Sequence, residues 1–290
     1  MKRYKTEQGG KLEVGQVLYT KHFKLELDRD LCKGCQLCKL ACPREAITLV
    51  PREDVGGKAD GKPVAVAPLV DIDESKCDFH GICAAVCPFS AITVTAKGLN
   101  KDAADNRVSR DVFPELTRDI AVDCASCEDG CRLCEELCPL GIISVDTEAK
   151  TVDIKKELCA GCQICWQECP TEAITVAKFI EGSIDIATDK CPEGCRRCAD
   201  VCPVRAIAVE DGEVFANDYN CIYCGACLEV CPAEGAIEIE RTAIRHSPIE
   251  SGAWNKGLAK LTSEAGLQRE LAATSADKAL AAMKNQEVEA

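Results

Sequence analysis

The sequence predicts an α+β fold of small metal-stabilised modules in tandem, closed by a partly helical C-terminal arm. Three observations carry this. The 290 residues include 24 Cys but only 4% aromatic side chains, too few large rings for one broad core. The cysteines recur in one spacing, six times over. Each recurrence is framed by short segments with β-branched residues and alternating polarity, which is the pattern of half-buried strands.

The elements follow in order. Segments 22–28, 69–73, 120–123, 152–155, 184–187 and 214–217 precede a cysteine run and read as strands. Segments 46–50, 91–95, 142–145, 173–176, 206–209 and 236–239 follow one and read the same way. Each run itself reads as a loop and a short helix. Asp211-Gly212 is a hairpin turn signal between two strands, because both residues tolerate positive φ. Segment 51–68 is rich in Gly, Asp, Lys and Pro and reads as an exposed insertion. Segment 97–114 is similar and joins the first module to the second. Beyond about residue 241 the cysteines stop, and 251–263 and 267–285 read as helices. Trp254, Leu258 and Leu261 fall at i, i+4, i+7 on one face, with a weaker stripe at Leu271, Ala272, Leu280 and Met283. No other part of the chain offers these helices a large core. The tail is therefore expected to dock on a partner rather than pack back on the third module.

The complete motif is Cys32, Cys35, Cys38, Cys42, Pro43, a C-x2-C-x2-C-x3-C-P run. It returns at Cys159, Cys162, Cys165, Cys169, Pro170 and at Cys221, Cys224, Cys227, Cys231, Pro232. Two copies carry one extra residue in the first gap: Cys127, Cys131, Cys134, Cys138, Pro139 and Cys191, Cys195, Cys198, Cys202, Pro203. The remaining copy is Cys77, Cys83, Cys87, Pro88, with His80 where the second Cys would stand. Three closely spaced thiolates wrap three corners of an iron–sulfur cubane, and in bacterial-type ferredoxins the fourth Cys ligates the other cluster of a two-cluster module. Proline after the fourth Cys fixes φ as the chain leaves. Gly34, Gly130, Gly161 and Gly194 precede a ligand position, and Gly81 and Gly225 follow one; glycine lets amide N–H groups approach the sulfurs. Zinc is the alternative occupant. Zinc ribbons, however, use two ligand pairs, not three close Cys and a fourth followed by Pro.

Composition excludes other classes. The net charge of -13 argues against nucleic acid as a partner and fits docking on basic protein patches. No apolar run is long enough to span a membrane. The polar N-terminus, Met1-Lys2-Arg3-Tyr4-Lys5, lacks a signal-peptide core, so a cytoplasmic protein with reduced, metal-binding thiols is expected. The sequence holds no GxGxxG, P-loop or GxSxG motif. Electron transfer without a substrate site of its own is the expectation, not catalysis.

Sequential pairing gives an extension at 1–19, modules at 20–98, 115–180 and 181–242, a linker at 99–114 and a docking tail at 243–290. Insertion of one module inside another is the competing arrangement. Under sequential pairing six [4Fe–4S] sites are expected. Cys32, Cys35, Cys38 and Cys87 form the first, and Cys77, His80, Cys83 and Cys42 the second. The third is Cys127, Cys131, Cys134 and Cys169; the fourth is Cys159, Cys162, Cys165 and Cys138. The fifth is Cys191, Cys195, Cys198 and Cys231; the sixth is Cys221, Cys224, Cys227 and Cys202. This uses every cysteine but Cys124, which could stand in for Cys127 as first ligand of the third site; because the run from Cys127 to Cys134 parallels that from Cys191 to Cys198, Cys127 is read as the ligand and Cys124 as a small hydrophobe. At His80 three outcomes stay open: a Cys3His cluster, a [3Fe–4S] cluster, or a lost cluster beside an ordinary His. Trp166 and Tyr223 are expected to shield clusters from water, and His22 and His246 to be structural or surface residues.

The six motifs, the run from Cys77 to Phe89, the segment 116–122 and the tail segment 251–263 resemble the polyferredoxin subunit of formylmethanofuran dehydrogenase from methane-metabolising archaea. The likeness covers roughly residues 20–265 and departs at His80, where the family pattern has Cys. It implies a role. Low-potential electrons would pass to a subunit whose tungsten or molybdenum, held by a pterin, reduces CO2 to formate. A further subunit transfers the formyl group to methanofuran. Heterodisulfide reductase and a soluble ferredoxin are further implied partners. A hydrogenase-associated polyferredoxin is the rival within the same class, and an enzyme with its own substrate site the rival outside it.

Overall fold

The computed structural model describes residues 2–52, 56–59, 62–98, 114–249, 252–263, 265, 266 and 268. The helix expected at 267–285 and most of the connection at 97–114 lie outside the described residues.

The N-terminal segment, expected to be an extension outside the modules, is part of the first module's sheet. β1 (Lys2–Gln8) and β2 (Lys11–Val17) form a hairpin. Gly9 and Gly10 turn it at φ +58° and +74°, the geometry of a two-residue hairpin. β2 alternates Lys11, Leu12, Glu13, Val14, and Leu12 and Val14 are fully buried. The core packs on that apolar face, and β3 (Lys21–Asp28) pairs antiparallel along the edge of β2.

Beyond β3 the layout is the expected one. The first motif leads into α1 (Leu37–Ala41) and then β4 (Ile47–Val50). β5 (Gly56–Ala59) and β6 (Lys62–Val64) make a small hairpin within the insertion. β7 (Leu69–Ile72) leads into the second motif, α2 (Ile82–Ala85) and β8 (Ile92–Gly98). β3 pairs antiparallel with β8, and β4 with β7. The first sheet therefore runs β1-β2-β3-β8. The expectation of a wholly exposed insertion is corrected. Ala65 donates its N–H to Asp200 Oδ2 at 3.0 Å, and Ala65 and Ala67 are half-buried against the core.

The same plan follows twice. β9 (Ile120–Val122) pairs with β12 (Ile174–Val176), and β10 (Ile143–Asp146) with β11 (Thr151–Ile154). Between them lie α3 (Leu133–Leu137) and α4 (Ile164–Gln167). β13 (Ile180–Ile186) pairs with β16 (Ile237–Ile244), and β14 (Ile207–Glu210) with β15 (Glu213–Ala216). Asp211-Gly212 turns the latter pair with both φ positive. α5 (Arg197–Val201) and α6 (Ala226–Val230) complete that unit. Each pair of short helices packs together: α1 on α2, α3 on α4, α5 on α6. One continuous core joins the first and third units and takes in Ala160 and Phe179. The outer half of the second unit has only a small core of its own, from Ile120, Ile142, Ile143, Ile174 and Val176.

The tail is a further correction. α7 (Gly252–Thr262) forms where expected, but its apolar stripe is not offered to a partner. Trp254, Leu258 and Leu261 are buried, and the helix packs on α1 and β16. The seat is close. A Cβ on Gly257 would stand 2.0 Å from the Ile82 Cδ1 atom, so a side chain there would have to push Ile82 aside. This helix needs no large core; a seam between the first and third units suffices. Among the described residues no helix is long and apolar enough to cross a membrane.

Candidate metal centres

Each site is assembled from two motifs. The first three cysteines of a run lie on a loop and the start of a short helix, and the fourth lies at the helix end. Antiparallel packing of the two helices carries each fourth cysteine across to the other loop. The thiols then stand around cavities. One cavity is lined by Cys32, Cys35, Cys38 and Cys87. Another is lined by Cys42, Cys77, Cys83 and His80. A third is lined by Cys127, Cys131, Cys134 and Cys169. A fourth is lined by Cys138, Cys159, Cys162 and Cys165. In the third unit Cys198 is flanked by Cys191, Cys195 and Cys231, and Cys227 by Cys202, Cys221 and Cys224.

The turn after three of the fourth cysteines, Cys42, Cys87 and Cys202, has a shared device. In Cys42-Pro-Arg-Glu45-Ala46, Glu45 sits at φ +50°, and the Ala46 N–H turns back to the Cys42 sulfur at 3.5 Å. Ser90 and Arg205 repeat the positive φ. Ala91 then donates to Cys87 Sγ at 3.3 Å, and Ala206 to Cys202 Sγ at 3.2 Å. That alanine is buried in each case. An N–H aimed at sulfur stabilises a thiolate.

Burial works the other way. It pushes Cys165 and Cys224 up to about 12 and Cys162, Cys198 and Cys221 up to about 11. Cys35, Cys38 and Cys227 are driven well above the usual thiol range, by burial first and neighbouring sulfurs second. Four such thiols around a void ionise only against a strong counter-charge, which iron supplies with release of protons. Among the described residues no three Cys, His, Asp or Glu side chains converge on a single-ion position. Thiols spaced around a void fit a cluster rather than one zinc ion.

Three basic or polar features tie the units together and were not legible in the sequence. Arg118 donates to the carbonyl oxygens of Pro88 at 3.0 Å, Cys87 at 3.3 Å and Cys159, and lies 4.9 Å over the Phe179 ring. It therefore bridges the first and fourth sites. Lys178 donates to Asp218 O at 2.8 Å, Cys221 O at 3.0 Å and Tyr223 Oη at 3.3 Å, joining the second unit to the sixth site. Gln36 is buried where α1 meets the sixth loop. Gly225 faces it at φ +85°, and a Cβ there would stand 2.8 Å from Gln36 Nε2. Across the same contact Cys224 acts on the Cys35 thiol and disfavours its ionisation.

The remaining candidates sort as follows. Cys124 lines the same cavity as Cys127, so it sits beside the third site and not in a core. Tyr223 is buried and bonded to Asp218, as expected of a shield, whereas Trp166 is 40% exposed and shields little. His22 Nε2 meets Tyr4 Oη at 2.8 Å, and His246 Nδ1 meets Ser247 O at 2.8 Å; both ties are structural.

Cysteine-lined cavities in repeated strand–loop–helix units define an iron–sulfur protein of ferredoxin type. Residues 31–91 and 183–232 each match the 4Fe–4S dicluster domain, and residues 152–175 the 4Fe–4S binding domain. The polyferredoxin protein MvhB of Methanothermobacter marburgensis is 30% identical over 33% of this chain and 24% of its own. The putative electron transport protein YsaA of Escherichia coli K12 is 31% identical over 43% of this chain and 68% of its own. The chain thus spans about a quarter of the first relative and about two thirds of the second. A chain of the formate dehydrogenase–heterodisulfide reductase–formylmethanofuran dehydrogenase complex from Methanospirillum hungatei superposes with a TM-score of 0.75. That likeness is 31% identical and covers 90% of this chain and 92% of the other. The protein belongs to the polyferredoxin-like 4Fe–4S proteins, iron–sulfur proteins of electron transport.

Proposed function

We propose that this chain holds six [4Fe–4S] clusters and carries low-potential electrons within a multisubunit oxidoreductase, to the tungsten or molybdenum pterin subunit of a formylmethanofuran dehydrogenase. The observation that carries the proposal is the likeness, over nearly the full length of both chains, to a component of the Methanospirillum assembly. The ligand sets are those expected from sequential pairing. Cys32, Cys35, Cys38, Cys87 hold the first cluster and Cys42, Cys77, Cys83 with His80 the second. Cys127, Cys131, Cys134, Cys169 hold the third and Cys138, Cys159, Cys162, Cys165 the fourth. Cys191, Cys195, Cys198, Cys231 hold the fifth and Cys202, Cys221, Cys224, Cys227 the sixth.

The clusters supply one-electron redox chemistry when bound. The chain does the rest. Its thiols fix the spacing between sites, its backbone N–H groups lower the cost of negative charge on sulfur, and Phe79, Phe89 and Tyr223, all buried, exclude water. Arg118 and Lys178 keep the inner faces of the three units in register, so the first, fourth and sixth sites adjoin one another. Anaerobic purification from the native host tests the proposal. About 24 irons and 24 sulfides per chain and co-purification with a pterin-containing subunit are expected. Co-purification with a nickel–iron hydrogenase instead would assign the chain to the rival partner.

A further inference from the structure

We infer that the second site is built to take an imidazole as its fourth ligand: His80 Nε2 completes a Cys3His cluster, with its ring set by Trp254 of the C-terminal helix and its other nitrogen by Asp78. This rests on the cluster-binding role proposed above and names a ligand and two positioning residues for one site.

The loop backbone is the first ground. In the sixth site the ligand position Cys224 lies between Tyr223 at φ +51° and Gly225 at φ +85°. In the second site His80 lies between Phe79 at φ +60° and Gly81 at φ +81°. A left-handed residue on either side of one position is costly where one of the two is Phe or Tyr. The second loop nevertheless keeps that conformation with its cysteine replaced, so the ligand position itself is kept.

The second ground is an orphaned atom. His80 Nε2 is buried and has no hydrogen-bond partner among the described residues, and a buried polar atom left alone is destabilising. What His80 borders, with Cys42, Cys77 and Cys83, is the second cavity. Its Nδ1 lies 3.5 Å from Asp78 Oδ1. A carboxylate at that nitrogen favours the tautomer with the proton on Nδ1, which leaves the Nε2 lone pair for metal.

The third ground is the seat of α7. The Trp254 ring lies 6.4 Å from the His80 ring at a 39° tilt. Trp254 is buried, and the glycine at 257 brings the helix down onto Ile82, two residues beyond His80. The tail thereby fixes the imidazole plane. A neutral imidazole in place of a thiolate removes one negative charge from the cluster's surroundings and raises its potential. The second site becomes the most oxidising centre of the chain, where an electron rests longest, and the helix that covers it tunes that property.

The test uses the full chain, isolated anaerobically, with 15N-labelled histidine and pulsed EPR of the reduced protein alongside EPR-monitored redox titration. His22 and His246 are tied to Tyr4 and to the Ser247 carbonyl, so a labelled nitrogen coupled to a cluster identifies His80. Expected results are that coupling in the native chain, its loss in His80→Cys, and a fall of the highest midpoint potential in that variant with iron content unchanged. Trp254→Leu and Asp78→Asn should keep the iron content but alter the nitrogen coupling and shift that same midpoint, and Trp254→Phe should restore most of it. No histidine coupling in a fully loaded chain, a three-iron signal in the native protein, or unmoved midpoints in His80→Cys would overturn the ligand. Coupling that persists unchanged in Trp254→Leu would overturn the role of the tail. Failure of the cluster-binding role is distinct, because iron and sulfide would then be absent before any histidine signal is sought.

Discussion

Single residues decide the sites through backbone conformation and charge. Gly225 is left-handed and faces Gln36 too closely for any side chain. Gly225→Ala should cost about 1–2 kcal/mol from the left-handed backbone alone, and more from the clash with Gln36. The expected outcome is a chain short of one cluster's iron, read by metal analysis, with the remaining centres intact by EPR. Charge matters differently at Glu13. Lys24 beside it, at 2.5 Å, holds its carboxyl below the usual 4.5, against a smaller upward push from burial. A carboxylate depressed in the folded state contributes stability above its unfolded pKa, and that stability is lost as pH falls through the folded value. Both side chains are about a third exposed, so the pair is worth at most about 1 kcal/mol. Hydrogen-exchange protection factors in β1–β3 should fall below about pH 4.5, and Glu13→Gln should flatten that dependence. An unchanged pH profile in the variant would show the pair to be inert.

At the scale of elements, short strands and helices of four or five residues cannot stand alone. Each is held by a partner strand, a partner helix and a cluster. The N-terminal hairpin adds conventional packing to this. Leu12→Ala removes a fully buried side chain from β2 and should destabilise the first sheet by about 2–4 kcal/mol. Faster exchange in β3 and β8, with β10 and β11 unaffected, is the expected pattern. The second unit differs, because its own core is small and its thiols are only half-buried. Graded exposure to oxygen should therefore bleach the third and fourth sites before the first and sixth, as followed by EPR.

On the scale of the whole molecule, the three units are not beads on a string. The first and third share a core, and the second is fastened to both through Arg118, Phe179 and Lys178. Arg118 is largely buried, which pulls its pKa down, yet Cys87 and Cys159 beside it favour the charged form. A cation held there stabilises the reduced, more negative state of the clusters on either side. Arg118→Gln should lower the potentials of the first and fourth sites and leave the fifth unmoved, in a titration resolved by EPR. Potentials that stay put would mean that Arg118 only positions loops. Removing iron acts on everything at once. Units of this size draw much of their folding energy from metal, so chelation should abolish both far-ultraviolet dichroism and hydrogen-exchange protection.

The cysteine spacing, the flanking alternation and the glycines were readable because they are local. Ligand chemistry and strand period are set within a few residues, so the strands around each motif, the Asp211-Gly212 turn and the α7 stripe could be placed from sequence. The N-terminal hairpin is equally local, with Gly9-Gly10 between two alternating segments, but it carries no cysteine and lies outside the repeated motif. What the helix of the tail would rest on, and that Arg118, Lys178 and Gln36 would meet cluster loops from other units, depends on contacts between residues far apart in the chain. No local pattern encodes such contacts. Only the folded arrangement, by burying Trp254 against His80 and aligning three units around shared cations, decided them.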